Sequence, residues 1–122
     1  MKLKVFEQEL CVCKVIDSSA IDFSRELTFV AITDEEISLV CPQDAIPENV
    51  LVAEPGWRAF RIEGVLDFSL VGILARVSSI LAQSNVGLFA VSTFNTDYIL
   101  VKANDLERAL DALASNGYEI DA

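Results

Sequence analysis

Two polar segments of the chain carry the side chains best suited to hold a small molecule. The first is the loop that precedes a strongly periodic helix. A helix start presents unpaired N–H groups and the positive end of the helix dipole, which suit a carboxylate. Glycine in such a loop lets a ligand approach the backbone closely. We predict ligand contacts here from Leu66, Asp67, Phe68, Leu70, Val71 and Gly72. The alternative for Asp67 is an ordinary helix cap, and the two roles can coexist.

The second segment is a turn that runs from Ser92 to Asp97 and is rich in short polar side chains. Its aspartate can accept a charge-assisted hydrogen bond from a ligand ammonium or guanidinium group. The same residue types are favoured in hairpin turns that bind nothing, so the structural alternative stays open. The predicted contacts are Ser92, Thr93, Asn95 and Asp97.

The chain has no histidine, which removes the commonest general base and the commonest metal ligand. No catalytic triad that needs histidine can form within it. Arg58 and Arg61 fall on opposite faces of one predicted strand, so they do not form a joint anion clamp. We therefore expect no catalytic residue, no metal, no cofactor and no enzymatic activity.

Three cysteines, Cys11, Cys13 and Cys41, make an odd number, which favours reduced thiols in the cytoplasm. Cys11 and Cys13 alternate with one residue between them, so a strand would point both to the same face. A metal or redox site would need a fourth ligand and a different spacing. We interpret all three as small apolar core residues.

The net charge of −10 disfavours nucleic acid and anionic membranes as partners, because both are polyanionic surfaces. The first residues turn charged too soon for a signal peptide, and no apolar run reaches the length of a transmembrane helix. These features predict a soluble, acidic, cytoplasmic protein.

The pattern in the first half of the sequence predicts short strands at residues 10–16, 27–32, 37–41 and 50–54 and one helical turn near Asp44. Three prolines within fourteen residues leave no room for a long helix there. Pro55-Gly56 is a break, so we place the domain boundary there, between residues 1–55 and 56–122.

The second half has a clearer pattern. Residues 57–63 alternate like a strand, and apolar residues from Leu70 to Leu81 recur at helical spacing. Strands at 88–92 and 98–102 follow, then a second helix capped at Asn104 or Asp105, then a last strand at 118–120. The order β-α-β-β-α-β is the ferredoxin-like α+β arrangement, an antiparallel sheet with both helices on one face.

A weak internal repeat links the halves. Residues 38–44 align with residues 99–105, each a strand that leads to an acidic turn after a hairpin. The first half has about ten residues where the second has a full helix. We interpret it as a degenerate copy, the smaller of two lobes.

These segments resemble a known family. Residues 65–77 are similar to the opening of an ACT domain, 86–93 and 97–101 to its second and third strands, and 106–110 to its second helix. The stretch from Thr33 to Pro42 is similar to the first lobe of the tandem ACT domains of aspartate kinases and cytosolic arginine sensors. The resemblance implies a tandem ACT fold, sheets that pair side by side, and an effector pocket lined by the loop at residues 66–72.

The resemblance also implies a function. We expect a regulatory sensor that binds a free amino acid or similar metabolite and shifts a conformational population without bond chemistry. Its expected state is a homodimer or a higher homo-oligomer. The alternative is a ligand-free interaction module that self-associates through its sheet edge, since an incomplete first lobe leaves edge and apolar surface uncovered. Fold alone does not decide between them.

Overall fold

A computed structural model describes residues 1–64 and 71–122 of the chain. Its elements, in chain order, are β1 (Lys2–Val15), β2 (Phe29–Ile32), β3 (Ile37–Pro42), β4 (Val50–Ile62), α1 (Ile73–Gln83), β5 (Phe89–Ser92), β6 (Asp97–Lys102), α2 (Leu106–Ser115) and β7 (Glu119–Asp121). Single 3₁₀ turns precede β4 and α2, at Gln43–Ala45 and Ala103–Asp105. The first is the helical turn predicted near Asp44. Neither helix in this part of the chain is long and apolar enough to cross a membrane.

The chain folds into two compact units whose boundaries differ from those predicted. One, the C-terminal unit, consists of Met1–Glu7 with Arg58–Ala122, and the other, the inserted unit, consists of Gln8–Trp57. The first residues join the C-terminal unit because Lys2–Lys4 pair in parallel with Glu119–Asp121 of β7. The Pro55-Gly56 signal is local, so it could not indicate this pairing between the two ends of the sequence.

The C-terminal unit has the predicted β-α-β-β-α-β order, formed by β4, α1, β5, β6, α2 and β7. Its strand order is β7-β1-β4-β6-β5, so the beginning of β1 is an additional strand between the first and last strands of the ferredoxin-like set. Leu3 of β1 is fully buried in the core of this unit. The sheet therefore has five strands where the sequence predicted four.

One face of this sheet and both helices enclose the main core of the C-terminal unit. The helices contribute buried residues at the spacing that the sequence predicted, Val77, Ile80 and Leu81 from α1 and Ala109 and Leu113 from α2. They pack against strand residues that include Phe60, Ile62, Ile99 and Val101. Helical periodicity of apolar residues is thus confirmed as the signal that located both helices.

Helix α1 starts later than the sequence indicated. Its N-cap is Gly72, whose φ of 80° is a left-handed conformation that glycine adopts without strain. The first residue of the predicted helical pattern, Leu70, and the possible cap Asp67 lie outside the described residues. The helix ends at Gln83, and Asn85 then takes a positive φ of 59°.

The inserted unit has the strand order β2-β3-β1-β4, which is also a ferredoxin-like order. Residues 8–57 are all described, and they contain no α-helix. The predicted break at Pro55-Gly56 is wrong, since β4 continues through it from Val50 to Ile62. Gly56 accommodates the local bend with a φ of 85°, and its N–H donates to the side chain of Gln43 at 2.8 Å. The predicted strands 50–54 and 57–63 are therefore one strand.

The two hairpins share one register, which confirms the internal repeat and corrects its alignment. Phe29 pairs with Val40 in the first hairpin, and Phe89 pairs with Leu100 in the second. The offset between the copies is therefore 60 residues, whereas aligning residue 38 with residue 99 implies 61. A shift of one residue would exchange the two faces of a strand. With the corrected offset Leu39 corresponds to Ile99, and both are fully buried.

The core of the C-terminal unit should dominate the stability of that unit. Leu81→Ala removes a fully buried side chain from α1, and we expect the free energy of unfolding to fall by about 2–5 kcal/mol. Leu51→Ala, at a position 56% exposed, is the control, and its loss should stay below about 1 kcal/mol. Urea unfolding followed by circular dichroism measures both. Equal losses would contradict the core described here.

Candidate functional site

The polar turn at residues 92–97 connects β5 to β6 and is held by its own side chains. The N–H of Thr93 donates to the carbonyl of Thr96 at 2.8 Å, and the Thr93 hydroxyl donates to the same oxygen at 3.1 Å. Ser92 and Asp97 are cross-strand partners, and the serine hydroxyl donates to Asp97 Oδ1 at 2.6 Å. Asp97 is partly buried, and a carboxylate can accept further hydrogen bonds besides the one from Ser92. Thr93 and Asn95 are exposed.

A residue that the sequence analysis missed anchors this turn to the sheet. The hydroxyl of Thr96 is buried and donates to the backbone carbonyl of Ile62 at 2.6 Å. Ile62 is the last residue of β4, so the bond places the turn beside the point where the chain leaves the sheet toward residues 65–70. Thr93 and Thr96 are the same residue type in the same turn, so the sequence does not show that only Thr96 is buried. A threonine in a turn is ordinarily expected to face solvent.

The predicted ligand loop is described only at its end. Leu66, Asp67, Phe68 and Leu70 lie outside the described residues. Val71 is 90% exposed, and Gly72 begins α1. Gly72 offers no side chain to cap the helix, and its carbonyl accepts the N–H of Arg76 at 2.9 Å. The first N–H groups of a helix have no partner within the helix itself, so they can bind a ligand anion.

A cavity of about 300 Å³ opens at this start of α1. Arg76 is one helical turn into α1, and its guanidinium donates to the carbonyl of Asn116 at 3.1 Å and lies 5.9 Å from the ring centre of Tyr118. The side chain of Asn116 is in turn tied to the carbonyl of Ala112 at 2.8 Å. The cavity is lined by Met1, Gly72, Ile73, Arg76, Asn116, Gly117 and Tyr118. Arg76 was not predicted, although its spacing of four from Gly72 would have placed it on the same side of the helix.

The structure brings some predicted site residues together and separates others. Gly72 lines the cavity with the turn that follows α2, and none of the residues from 92 to 97 lines it. The polar turn instead lies beside the end of β4 through Thr96 and Ile62. Among the residues described, the two predicted segments therefore do not share this cavity, and any common crevice depends on residues 65–70.

A second polar cluster occupies three neighbouring strands of the C-terminal unit. Arg61 donates to Glu63 at 2.7 Å and to the hydroxyl of Tyr98 at 3.1 Å, and its guanidinium lies 5.2 Å from the ring centre of Phe6. The bond to Glu63 is the main cause that raises the pKa of Arg61, and the same bond lowers the pKa of Glu63. Arg58 instead donates to the backbone carbonyl of Phe6, at 3.0 and 2.7 Å. The two guanidinium groups thus hydrogen-bond to different acceptors, Arg61 to Glu63 and Tyr98 and Arg58 to the backbone of Phe6.

The three cysteines are free and buried in the inserted unit. Their environment is the apolar core that the sequence predicted, shared with Val15, Ile21 and Leu39. Within residues 1–64 and 71–122, no group of three or more His, Cys, Asp or Glu side chains is arranged to hold a metal ion.

Comparison with known proteins gives consistent results. The ACT domain model matches residues 52–115, which is just over half of the chain. The cytosolic arginine sensor for mTORC1 subunit 1 of Mus musculus is 33% identical over 85 residues, covering 67% of this chain and 24% of that protein. The chain thus spans about a quarter of the length of that relative.

Two solved structures extend the comparison to nearly the whole chain. Protein Atu0741 of Agobacterium tumefaciens superposes with a TM-score of 0.83 at 36% identity, covering 98% of this chain and 90% of that one. The regulatory subunit of aspartate kinase from Thermus thermophilus superposes with a TM-score of 0.64 at 11% identity, covering 93% and 95% of the two chains. At 11% identity, the similarity to the aspartate kinase regulatory subunit shows a shared fold alone.

The anchor at Thr96 yields a direct prediction. Thr96→Val keeps the shape of the side chain but leaves the buried carbonyl of Ile62 without its donor, which should cost about 1–3 kcal/mol. Thr93→Val, in the same turn but exposed, should cost at most about 1 kcal/mol. Thermal unfolding of the two variants compares them, and a loss at Thr96 no larger than that at Thr93 would contradict the anchoring role.

Proposed function

The chain belongs to the ACT domain family, and on that basis we propose that it is a regulatory protein that binds a free amino acid or a similar small metabolite. The proposal is supported by the relative whose name describes an arginine sensor, and by the shared fold of an aspartate kinase regulatory subunit. In such a protein the binding energy of the ligand shifts the population of two conformations, and no bond is made or broken.

The cavity at the start of α1 is the observation that carries the proposal. Its volume of about 300 Å³ is at the lower end of the range for small-molecule sites, which suits a ligand as small as an amino acid. The first N–H groups of α1 and the guanidinium of Arg76 are positive groups, so the ligand carboxylate would bind there.

We propose that the remaining contacts come from the loop and turn identified in the sequence. The loop would contribute Leu66, Asp67, Phe68, Leu70, Val71 and Gly72, and the turn would contribute Ser92, Thr93, Asn95 and Asp97. The half-buried carboxylate of Asp97 would hold the ligand ammonium, with its orientation set by the hydroxyl of Ser92. The ammonium and carboxylate of an amino acid are joined through one carbon atom, so this assignment requires Asp97 and the start of α1 to face one common site.

The wider proposals follow from the same assignment. A protein that reports an amino acid concentration needs no catalytic residue, so we propose that the chain is not an enzyme. We propose a cytoplasmic location, in keeping with a relative named as cytosolic, and a homodimer or higher homo-oligomer as its working state.

The alternative function is an interaction module that self-associates without a ligand. Leu51 and Val52 of β4 support this alternative, since both are more than half exposed. Consecutive strand residues point to opposite faces, so both faces of β4 present an apolar side chain to solvent at this point. Ile32 at the end of β2 is also exposed. Apolar side chains on an exposed edge strand favour pairing with another chain. Sedimentation that shows an oligomer, with no response to any amino acid, would support this alternative.

The sensing proposal predicts that at least one amino acid binds and stabilises the protein. At a ligand concentration of about 100 times Kd, binding to the native state alone adds about 2.7 kcal/mol to the unfolding free energy. Thermal-shift screening of the amino acids, followed by calorimetric titration of the best one, measures this. If no amino acid raises the melting temperature at millimolar concentration, the proposal fails.

Two variants separate the parts of the proposed site. Asp97→Asn and Arg76→Gln each remove one charge partner and should weaken binding about tenfold or more, since a charge-assisted hydrogen bond contributes about 1.5–3 kcal/mol. Asp34→Asn is the matched control, because Asp34 lies in the corresponding exposed turn of the inserted unit. Its Kd should be that of the unmodified protein. Weakening by Asp34→Asn as large as that by Asp97→Asn would indicate a general charge effect instead of a site.

A further inference from the structure

The inserted unit covers its core with an irregular segment where a ferredoxin-like fold has a helix. Residues 16–28, which we name the strap, connect β1 to β2. At one end the N–H of Ile16 donates to the carbonyl of Asn49 at 3.2 Å, and near the other end Arg25 forms an ion pair with Asp44 at 2.8 Å. Between these two attachments, Ile21 inserts into the core that the three cysteines share.

The cysteines form a compact cluster under this strap. Cys11 and Cys41 are direct cross-strand partners on β1 and β3, so their side chains lie on the same face of the sheet. Cys13 is two residues farther along β1, with its sulfur 3.4 Å from that of Cys11. All three side chains are buried, with at most 4% of any residue exposed.

The cover over the cluster is thin. Ile21 is the buried residue of the strap, whereas Asp22, Phe23, Ser24 and Glu26 are exposed. The ion pair at its far end is also exposed, with 75% of the Asp44 side chain accessible, so it adds little to stability. Segments with few buried contacts open at low free-energy cost, and the strap has the features of such a segment.

Burial keeps the three thiols protonated. Burial is the main cause that raises the pKa of Cys11 to about 12, and burial likewise raises the pKa of Cys13 and of Cys41. Because the thiolate is the reactive form, the cluster is unreactive at neutral pH while it is covered. Opening the strap would restore contact with water and with it the ordinary ionisation of the thiols.

We propose that Cys11 and Cys41 are a disulfide-forming modification site whose oxidation is gated by the strap, independently of the proposed ligand site. Facing Cβ atoms on paired antiparallel strands lie about 4.5–5.5 Å apart, and a disulfide needs about 3.5–4.5 Å, so a small approach of two strands suffices. Cys13 is the competing partner, since its thiol contacts that of Cys11 and hydrogen-bonds with that of Cys41. The Cα atoms of Cys11 and Cys13 lie about 6.6 Å apart along one extended strand, near the upper limit for a disulfide.

The reaction is a thiol–disulfide exchange with a small disulfide such as oxidised glutathione. One protein thiolate attacks the oxidant and displaces a first small thiol, which leaves a mixed disulfide. The second protein thiolate then attacks the protein sulfur of that mixed disulfide and displaces the second small thiol. The two cysteines lose two protons and two electrons, and the oxidant gains them as two thiols.

The test uses the full chain incubated with oxidised glutathione, with disulfide formation followed by intact mass and by peptide mapping without reduction. We expect loss of two hydrogens and a peptide that joins Cys11 to Cys41, also in the Cys13→Ser variant. Arg25→Ala releases the far end of the strap and should speed oxidation by about two- to fivefold, the range that the loss of one exposed ion pair allows. Arg108→Ala is the matched control, because Arg108 forms a similar exposed pair with Asp105 in the C-terminal unit, and its rate should be unchanged.

Three results would overturn the proposal. The first is the absence of any intramolecular disulfide in both the unmodified and the Arg25→Ala proteins. The second is a disulfide that joins Cys13 to Cys11 or to Cys41 in the unmodified protein. The third is equal acceleration by Arg25→Ala and Arg108→Ala. Circular dichroism spectra of each variant before oxidation establish that a faster reaction reflects local opening and not global unfolding. Failure of this site would leave the sensing proposal intact, because the cysteines belong to the inserted unit and the proposed ligand site to the C-terminal unit.

Discussion

The pairing of Leu3 with Ile120 joins the two ends of the sequence, and the C-terminal unit is built around it. Because this short parallel ladder places β1 between β7 and β4, the sheet of that unit needs residues from before the inserted unit as well as after it. Leu3 is fully buried among residues of both helices and the central strands. A chain that contained only residues 58–122 would leave β7 without its neighbour and expose the core where Leu3 lies.

The candidate ligand site depends on the same unit and on how its loops are held. Helix α1 begins after a glycine N-cap, which has no side chain, and Arg76 and Asn116 shape the cavity next to it. The polar turn is held beside the end of β4 by one buried hydroxyl. Both features are built on regular elements, which positions polar groups more precisely than a long free loop would. Membership of the ACT family establishes the fold, and the chemistry of these groups is what argues for a ligand.

The inserted unit differs from the C-terminal unit in how its core is covered. It keeps the strand order of the fold but replaces the first helix with the strap, so its core is covered by fewer buried side chains. Small apolar residues such as cysteine pack well under a thin cover, and burial keeps their thiols protonated. Because few buried side chains cover them, the thiols depend for their burial on the strap, and the Arg25–Asp44 ion pair that holds the strap is exposed.

Local sequence patterns were enough to predict both helices, the two hairpins and the β-α-β-β-α-β order. Each of these depends on side-chain spacing within about fifteen residues. Cys11 and Cys13 were identified as core residues by the same alternation. The ladder between Leu3 and Ile120, the continuity of β4 through Gly56, the repeat offset of 60 residues and the contact of Thr96 with Ile62 were decided only by the tertiary structure. Each of these depends on a partner distant in sequence or on a backbone conformation that a neighbouring strand stabilises. Residue type alone does not encode which of several compatible partners a strand or a hydroxyl will meet.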